Sequence, residues 1–415
     1  MNSYDVVIIG GGAAGMMAAI SCKKHHPEKT VAILDRTHEL GRKLLTAGAG
    51  RGNLTNINLE KGPAGYYHGD QKFIETVFSQ FGYKDIMNFF RELGVPTYIE
   101  LKTGKGKIFP SIDHAKTIRD MLVEYLKFIE VDMICNCHVQ SLSHSTIWTV
   151  QTNDTSYTAT TVILAAGGKT YPALGSDGSG YTLAASLGHT IVDPVVSAVP
   201  IVSKNILSHF LQGEKMDMRA TSYIDGNKIS EARGDVMFTQ YGFSGPAIFD
   251  ISRDFSIHIN RGHKDGCVVH LCFFPYETPE TLRSLLDQKW KTFPSYTVAS
   301  SLWGLLTQKA AGGVCASLKF PKEKICSQLS EEEKQSIVHM LMDFSSDVEG
   351  TRGWNEGEFT AGGVATSEID PNTMHSKIQP KLGFAGELVD VDGAVGGFNL
   401  SWGWASGWVA GRNCL

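Results

Sequence analysis

Gly10, Gly12 and Gly15 follow the apolar run Tyr4-Asp-Val-Val-Ile-Ile9, and Asp35 closes a second apolar run, Thr30-Val-Ala-Ile-Leu34. Residues of these types at this spacing form a dinucleotide site. Gly10 permits a tight turn after the strand, Gly12 lets the backbone approach a pyrophosphate, and Gly15 lets the next helix pack against the strand. That helix offers free N–H groups and the positive end of its dipole to the phosphates, while the Asp35 carboxylate suits ribose hydroxyls. A second constellation lies near the C-terminus. Asp390 ends the strand-like run from Gly386 and could hold the hydroxyls of an extended sugar alcohol such as ribityl. Gly396 and Gly397 then open a helix whose N-terminus carries about half a positive charge. Aimed at the pyrimidine end of a flavin, that charge stabilises the anion formed when the flavin accepts hydride.

Several elements must position these groups. Ala13 to Lys24 is an Ala- and Met-rich helix, and Thr161-Val-Ile-Leu-Ala-Ala-Gly-Gly168 is another apolar strand. The small residues Ala165, Ala166 and Gly167 at its end let the chain pass beside the same ligand. The glycine-rich stretch Gly41 to Asn56 has no helical or strand period, and can wrap a ligand with Arg42, Lys43, Asn53 and Asn56. Residues 71–93 and 114–128 read as amphipathic helices, and Val131–Cys135, His138–Leu142, Thr146–Gln151 and Tyr157–Thr160 as short strands. Beyond residue 191, strands are expected at Ala220–Ile224, Asp235–Thr239, Phe255–Ile259 and Cys267–Phe273, followed by a Lys- and Glu-rich helical stretch over 278–343. Leu400, Trp404 and Trp408 form one helical row and Trp402, Ala405 and Val409 another, with Gly403, Gly407 and Gly411 making a groove for close packing. The Trp side chains read as core.

The fold class expected is α/β: a doubly wound, Rossmann-like dinucleotide domain split in sequence (1–190 and 355–415), with a β-rich insert (191–275 and 344–354) and a helical lobe (276–343). The patterns of strand and helix inside the insert are segregated rather than alternating, which is the ground for separating them. At 415 residues, with 42% hydrophobic and 20% charged content, the chain can bury a substantial core. Its net charge of −5 and scattered Lys and Arg argue against a nucleic-acid partner. A strand begins almost at the first residue and no apolar run approaches about 18 residues, so no signal peptide or membrane span is expected and the location expected is cytoplasmic. The eight cysteines have no zinc spacing and read as reduced thiols, Cys135-x-Cys137 as ordinary strand or loop residues. No metal site is expected, and His189 and His258 read as surface or satisfied core groups.

Gly10 to Gly15, Gly41 to Asn56, Gly167 to Tyr181, Phe238 to Pro246, Thr360 to Val364 and Ser376 to Gly411 together resemble the BaiN-type (YhiN-like) bacterial FAD-dependent oxidoreductases. The resemblance covers most of the chain and implies a split FAD domain, a β-barrel-like insert and a helical lobe. It implies FAD contacts at Gly10, Gly12, Ala14, Gly15, Asp35, Arg36, Arg42, Lys43, Gly50, Asn53, Val139, Ala166, Gly167, Gly386, Asp390, Gly397, Phe398 and Asn399. Two positions depart from the family pattern: Gly52 stands where a Cys is usual and Gln240 where a His is usual, so neither group acts there. No second Gly-x-Gly-x-x-Gly follows a strand in the insert, so NAD(P)H would reach the flavin transiently. The resemblance implies reduction of 3-oxo-Δ4 (and Δ6) bile-acid rings, an oxidoreductase acting on CH–CH bonds, with hydride passing from flavin N5 to the β-carbon. A steroid-sized apolar substrate gains several kcal/mol from burial at roughly 25 cal/mol per Å². Arg51, Tyr171 and Tyr241 lie in family motifs as candidates to stabilise the enolate oxygen or supply its proton. The alternatives are an amine or aminoketone oxidase using oxygen, and a non-catalytic or RNA-associated flavoprotein.

Overall fold

The computed structural model describes residues 2–101, 104–263 and 265–414. The chain forms two compact units, one of Met1–Val196 with Glu358–Leu415 and one of Ser197–Gly357. The first unit begins with β1 (Asn2–Ile9), α1 (Ala13–His25) and β2 (Val31–Leu34). Helices α2 (Gln71–Gln80), α3 (Tyr83–Glu92) and α4 (Ala115–Phe128) follow, then β3 (Val131–Ile134), β4 (Val139–His144), β5 (Trp148–Thr152) and β6 (Ser156–Leu164). The second unit contains β7 (Lys215–Ile224), β8 (Asn227–Thr239), α5 (Pro246–Asn260), β9 (Cys267–Cys272), α6 (Pro279–Thr292), α7 (Gln308–Ser317), α8 (Glu331–Met342) and β10 (Phe344–Asp347). The chain then re-enters the first unit with β11 (Phe359–Val364), β12 (Leu382–Phe384) and α9 (Phe398–Arg412).

Strands β3, β2, β1, β6 and β12 lie side by side in that order, all parallel. Val6–Ile9, Val31–Leu34 and Val162–Leu164 are buried at every residue rather than at alternate ones, as strands covered on both faces must be. Register pairs Ile9 with both Leu34 and Leu164, so three strands finish level. Ligands of open parallel sheets bind in the crevice beyond such strand ends. The antiparallel β4–β5 meander joins the sheet through β5 and β6.

Helices α1 and α9 pack through glycine. A Cβ on Gly407 would lie 2.3 Å from the Ala14 carbonyl oxygen, and one on Gly411 2.1 Å from that of Ala18. Only hydrogen fits at either place, and Ser21 Oγ donates to the Trp408 carbonyl at 2.7 Å across the seam. Trp402 and Trp404 are buried, donating to the carbonyls of Gly386 (3.1 Å) and Leu54 (3.0 Å), so the tryptophans are core as expected.

Three local expectations are corrected. The helix expected over 71–93 is two, because Gly82 starts α3 with its N–H on the Asp85 carboxylate at 2.8 Å. Phe255–Ile259 is not a strand but the last part of α5, which buries Ile248, Ile251, Ser252 and Phe255 on one face. Gly386–Leu388 is a single 3-10 turn rather than a strand.

In the second unit, β10, β9, β7 and β8 are successive members of a seven-stranded antiparallel sheet. Leu282, Leu286, Trp290, Ala310, Val314, Ile337 and Leu341 of the helical segment share one core with Val269, Leu271 and Phe344 of that sheet. Among the described residues no helix is long and apolar enough to cross a membrane.

Candidate functional site

The three motif glycines meet different surroundings. A Cβ on Gly10, whose φ is +105°, would lie 2.4 Å from the Ala165 carbonyl oxygen, and one on Gly15 1.9 Å from that of Gly10. One on Gly12 meets nothing within 4 Å. The first and third glycines therefore close the packing, while the second faces open space at the start of α1. The first N–H groups of a helix have no intrahelical acceptor. The first turn of α1 carries no acidic residue that would repel an anion, and Lys23, Lys24 and His25 in its last turn complement the negative end of its dipole.

Asp35 is fixed where β2 ends. Its Oδ2 accepts the Gly11 N–H at 2.7 Å, and its Oδ1 accepts the N–H (2.8 Å) and hydroxyl (2.7 Å) of Thr37. A carboxylate oxygen accepts two hydrogen bonds, so Oδ2 has capacity for a hydroxyl. Asn136 and Cys137 donate to the carbonyls of Thr37 (2.8 Å) and Asp35 (2.9 Å), placing the start of β4, where Val139 is buried, beside this corner. The small residues ending β6 pass the glycine turn as the sequence implies: the Ala165 N–H donates to Ile9 O at 2.8 Å, and Ala166 Cα lies 2.8 Å from a Gly10 Cβ. Gly167 has φ +75°. Gly386 comes within 2.7 Å of Ala14 by the same measure and donates its N–H to Ser406 Oγ at 2.9 Å. Asp390 is half-buried, with its N–H on the Val364 carbonyl at 3.0 Å.

In the C-terminal segment, Gly397 caps α9 with φ +101°. A Cβ there would lie 2.6 Å from Thr55 O and 3.0 Å from Asn53 Oδ1. Asn53 is 5% exposed, and its Oδ1 is buried without a hydrogen-bond partner. Buried acceptors are rarely left so, which marks this one as waiting for a donor that a ligand brings. The first turn of α9 is also free of acidic residues. The residues fit an FAD molecule: open space at Gly12 and α1 suits a pyrophosphate, the Asp35 carboxylate suits ribose, and Asn53 Oδ1 beside α9 suits a ring edge that carries donors.

The other residues expected to contact the cofactor also bond within the protein. The Phe398 ring is buried and stacked on Tyr66 at 4.7 Å, and the Asn399 amide closes a turn on Gly393, accepting its N–H (2.9 Å) and donating to its carbonyl (2.7 Å). Gly50 accepts the Ala115 N–H at 2.8 Å. Arg36 pairs with Asp177 and donates to Pro172 O at 3.1 Å, Arg42 donates to Ala173 O at 2.8 Å, and Lys43 donates to Thr170 Oγ1 at 2.7 Å and Glu387 Oε2 at 2.8 Å. Glu387 also accepts the Thr360 N–H at 2.8 Å. Sequence reading overlooked Glu387, because its partners lie far away along the chain and outside any spaced motif.

Of the candidate catalytic groups, the Arg51 guanidinium sits 3.9 Å above the Phe109 ring and Tyr171 has left-handed backbone angles of φ +55°, ψ +62°. Tyr241 belongs to the second unit, with Arg352 4.8 Å above its ring. His189 is a satisfied core group as expected: Nδ1 meets Glu368 Oε2 at 3.0 Å and Nε2 meets Ser376 Oγ at 2.9 Å. Burial lowers its pKa, against the opposing pull of Glu368, so the imidazole favours its neutral form. Sequence spacing gave no sign of this serine–histidine–acid chain. Its hydroxyl oxygen already accepts the N–H groups of Ile378 (2.9 Å) and Gln379 (2.8 Å), which makes it a brace for a turn. Among the described residues no group of His, Cys, Asp and Glu side chains could hold a metal ion.

Comparison with known proteins adds to this geometry. Residues 4–413 match the family described as HI0933-like protein Rossmann domain. The chain is 33% identical over 409 residues to the 3-dehydro-bile acid delta(4,6)-reductase of Clostridium scindens, covering 98% of this chain and 97% of that one. It is 27% identical over 416 residues to the ribosomal RNA dihydrouridine synthase of Escherichia coli, covering 100% and 99%. In fold it is similar to the 3-ketosteroid-delta4-(5alpha)-dehydrogenase of Rhodococcus jostii, with a TM-score of 0.52 at 14% identity, covering 100% of this chain and 97% of that one.

Proposed function

The chain belongs to the HI0933-like Rossmann family of flavoprotein oxidoreductases, and from that premise we propose that it reduces a C=C bond conjugated to a carbonyl, with NAD(P)H as the transient electron donor. The substrate class proposed is a 3-oxo-Δ4 (and Δ6) bile acid or similar steroid, in the cytoplasm where NAD(P)H is supplied. The observation that carries the reading is the buried, unpartnered Asn53 Oδ1 beside the N-terminus of α9, a place suited to a ring that offers a donor and takes up negative charge. The similarity to the Clostridium scindens reductase supports the substrate class.

Bound FAD would supply the hydride, from N5 to the substrate's β-carbon. The protein's part is to hold and polarise. Gly12 and the first N–H groups of α1 would hold the pyrophosphate, Asp35 the adenosine ribose, and Asp390 the ribityl hydroxyls. Asn53 would accept a hydrogen bond from the ring's pyrimidine edge, and the N-terminus of α9 would present positive charge to it. Within the first unit, Arg51 and Tyr171 are the groups proposed to donate hydrogen bonds to the substrate's carbonyl oxygen as it becomes an enolate, the kind of interaction that stabilises a transition state more than a ground state.

A second reading has one specific support, the full-length similarity to a ribosomal RNA dihydrouridine synthase. Uracil also carries a C=C bond conjugated to a carbonyl, so the bond chemistry is shared and the substrate's size and charge differ. The test is product analysis by mass spectrometry, with NADH or NADPH and either a 3-oxo-Δ4 bile acid or a uridine-containing ribosomal RNA fragment. The proposal expects a steroid product heavier by one H2 and unchanged RNA; the reverse outcome would select the second reading.

A further inference from the structure

The seam between α1 and α9 ends in a pair of thiols. Its contacts step along both helices in the same direction: a Cβ on Gly407 would meet the Ala14 carbonyl oxygen, and one on Gly411 that of Ala18. About one turn further along, Cys22 faces Cys414, and their Sγ atoms lie 2.7 Å apart. Both side chains are fully buried. The segment beyond α9 is tied to the end of α1 at a second point, where His26 Nε2 meets the Arg412 carbonyl at 3.0 Å. The Cys414 N–H itself donates to Gly411 O at 3.3 Å. All eight cysteines are free thiols. A helix pair that touches through hydrogen at two positions has room beyond them for small side chains only, and Ala or Ser would fill that space as well as Cys does. What two cysteines add is the capacity to bond.

We propose that Cys22 and Cys414 form a reversible disulfide that staples α9 to α1, made when hydrogen peroxide takes two electrons from the pair. In the closed seam the facing Cys414 thiol and burial push the Cys22 thiol's pKa up, so Cys22 stays protonated there. The first step therefore belongs to Cys414, which lies just past the end of α9, where a helix frays at little cost. Its thiolate attacks the peroxide and becomes a sulfenic acid, releasing one water; the Cys22 sulfur then displaces the hydroxyl group as a second water and the S–S bond forms. In sum the two thiols lose two protons and two electrons, and the peroxide is reduced to two waters. The bond joins residues 392 positions apart, and a cross-link of such span removes conformational freedom from the unfolded chain. The staple is independent of the reaction proposed above, in which neither cysteine has a part.

The experiment treats the full-chain holoprotein with hydrogen peroxide, removes the excess, unfolds the protein in an alkylating agent and maps its peptides by mass spectrometry. The expected product joins the Cys22 and Cys414 peptides, is lighter than their sum by two hydrogens, and gives two alkylated peptides after treatment with a thiol reductant. It is absent from Cys22→Ala. Thermal melts then read the staple: oxidised wild type is expected to melt about 5 °C or more above the reduced protein, and Cys22→Ala to show no such rise. Full alkylation of both cysteines after peroxide, oxidation of either to a sulfinic or sulfonic acid without the bond, or a bond from either to a third cysteine would overturn the pairing. A bond that leaves the melting temperature unchanged would overturn the staple. Both readouts are made on wild-type protein, so they decide the matter even where Cys22→Ala fails to fold.

Discussion

At the scale of single residues, the glycine turn separates folding from binding. Gly12 has φ −74°, which any residue adopts, and open space where a Cβ would go. Gly12→Ala is therefore expected to leave the melting temperature of the apoprotein unchanged and to weaken FAD binding by about ten-fold or more, since the methyl group stands where the pyrophosphate approaches. Gly15→Ala, with its Cβ 1.9 Å from a backbone oxygen, is expected to lower the melting temperature itself. Thermal melts and FAD titration of the two variants check this. If Gly12→Ala binds FAD as wild type does, the pyrophosphate is not at Gly12. The close packing at Gly10 and Gly15, and the place of Asp35 just after β2, were legible in the sequence because the motif is local. The ties of Lys43 to Glu387 and of His189 to Glu368 and Ser376 were not, because hydrogen bonds between residues so far apart in the chain leave no spacing to read.

At the scale of elements, glycine decides how closely helices approach. Adding a methyl group at Gly407 would force α9 away from α1, and Gly407→Ala is expected to cost about 1–3 kcal/mol. Gly312, in α7, has open space for 4 Å around the place a methyl group would occupy, so Gly312→Ala is expected to stabilise by about 0.5–1 kcal/mol through helix propensity. Chemical denaturation of the full chain reads both, and a Gly407→Ala protein as stable as wild type would contradict the packing described for α1 and α9. The seam was visible in advance, since glycines at every fourth position of an apolar helix have few other uses. The strand expected at Phe255–Ile259 failed because alternating Phe255, Ile257 and Ile259 imitate a strand over five residues, while the longer window from Pro246 carries the helical face.

At the scale of the whole molecule, the chain leaves its sheet after Val196 and returns at Glu358, bringing β12 to the sheet and α9 to α1. The return of glycine-rich, apolar sequence after residue 355 is the signal in the chain that goes with this re-entry, whereas no spaced motif names the substrate. A net charge of −5 suits a small apolar substrate better than RNA. The central claim, a flavin that takes electrons from a nicotinamide and passes them to a carbonyl-conjugated C=C bond, is tested most directly by anaerobic stopped-flow absorbance at about 450 nm. Bleaching is expected on mixing with NADH or NADPH, and recovery of the colour on mixing with a 3-oxo-Δ4 bile acid. A flavin that stays oxidised with both nicotinamides and bleaches with an amine would contradict it and make the protein an oxidase.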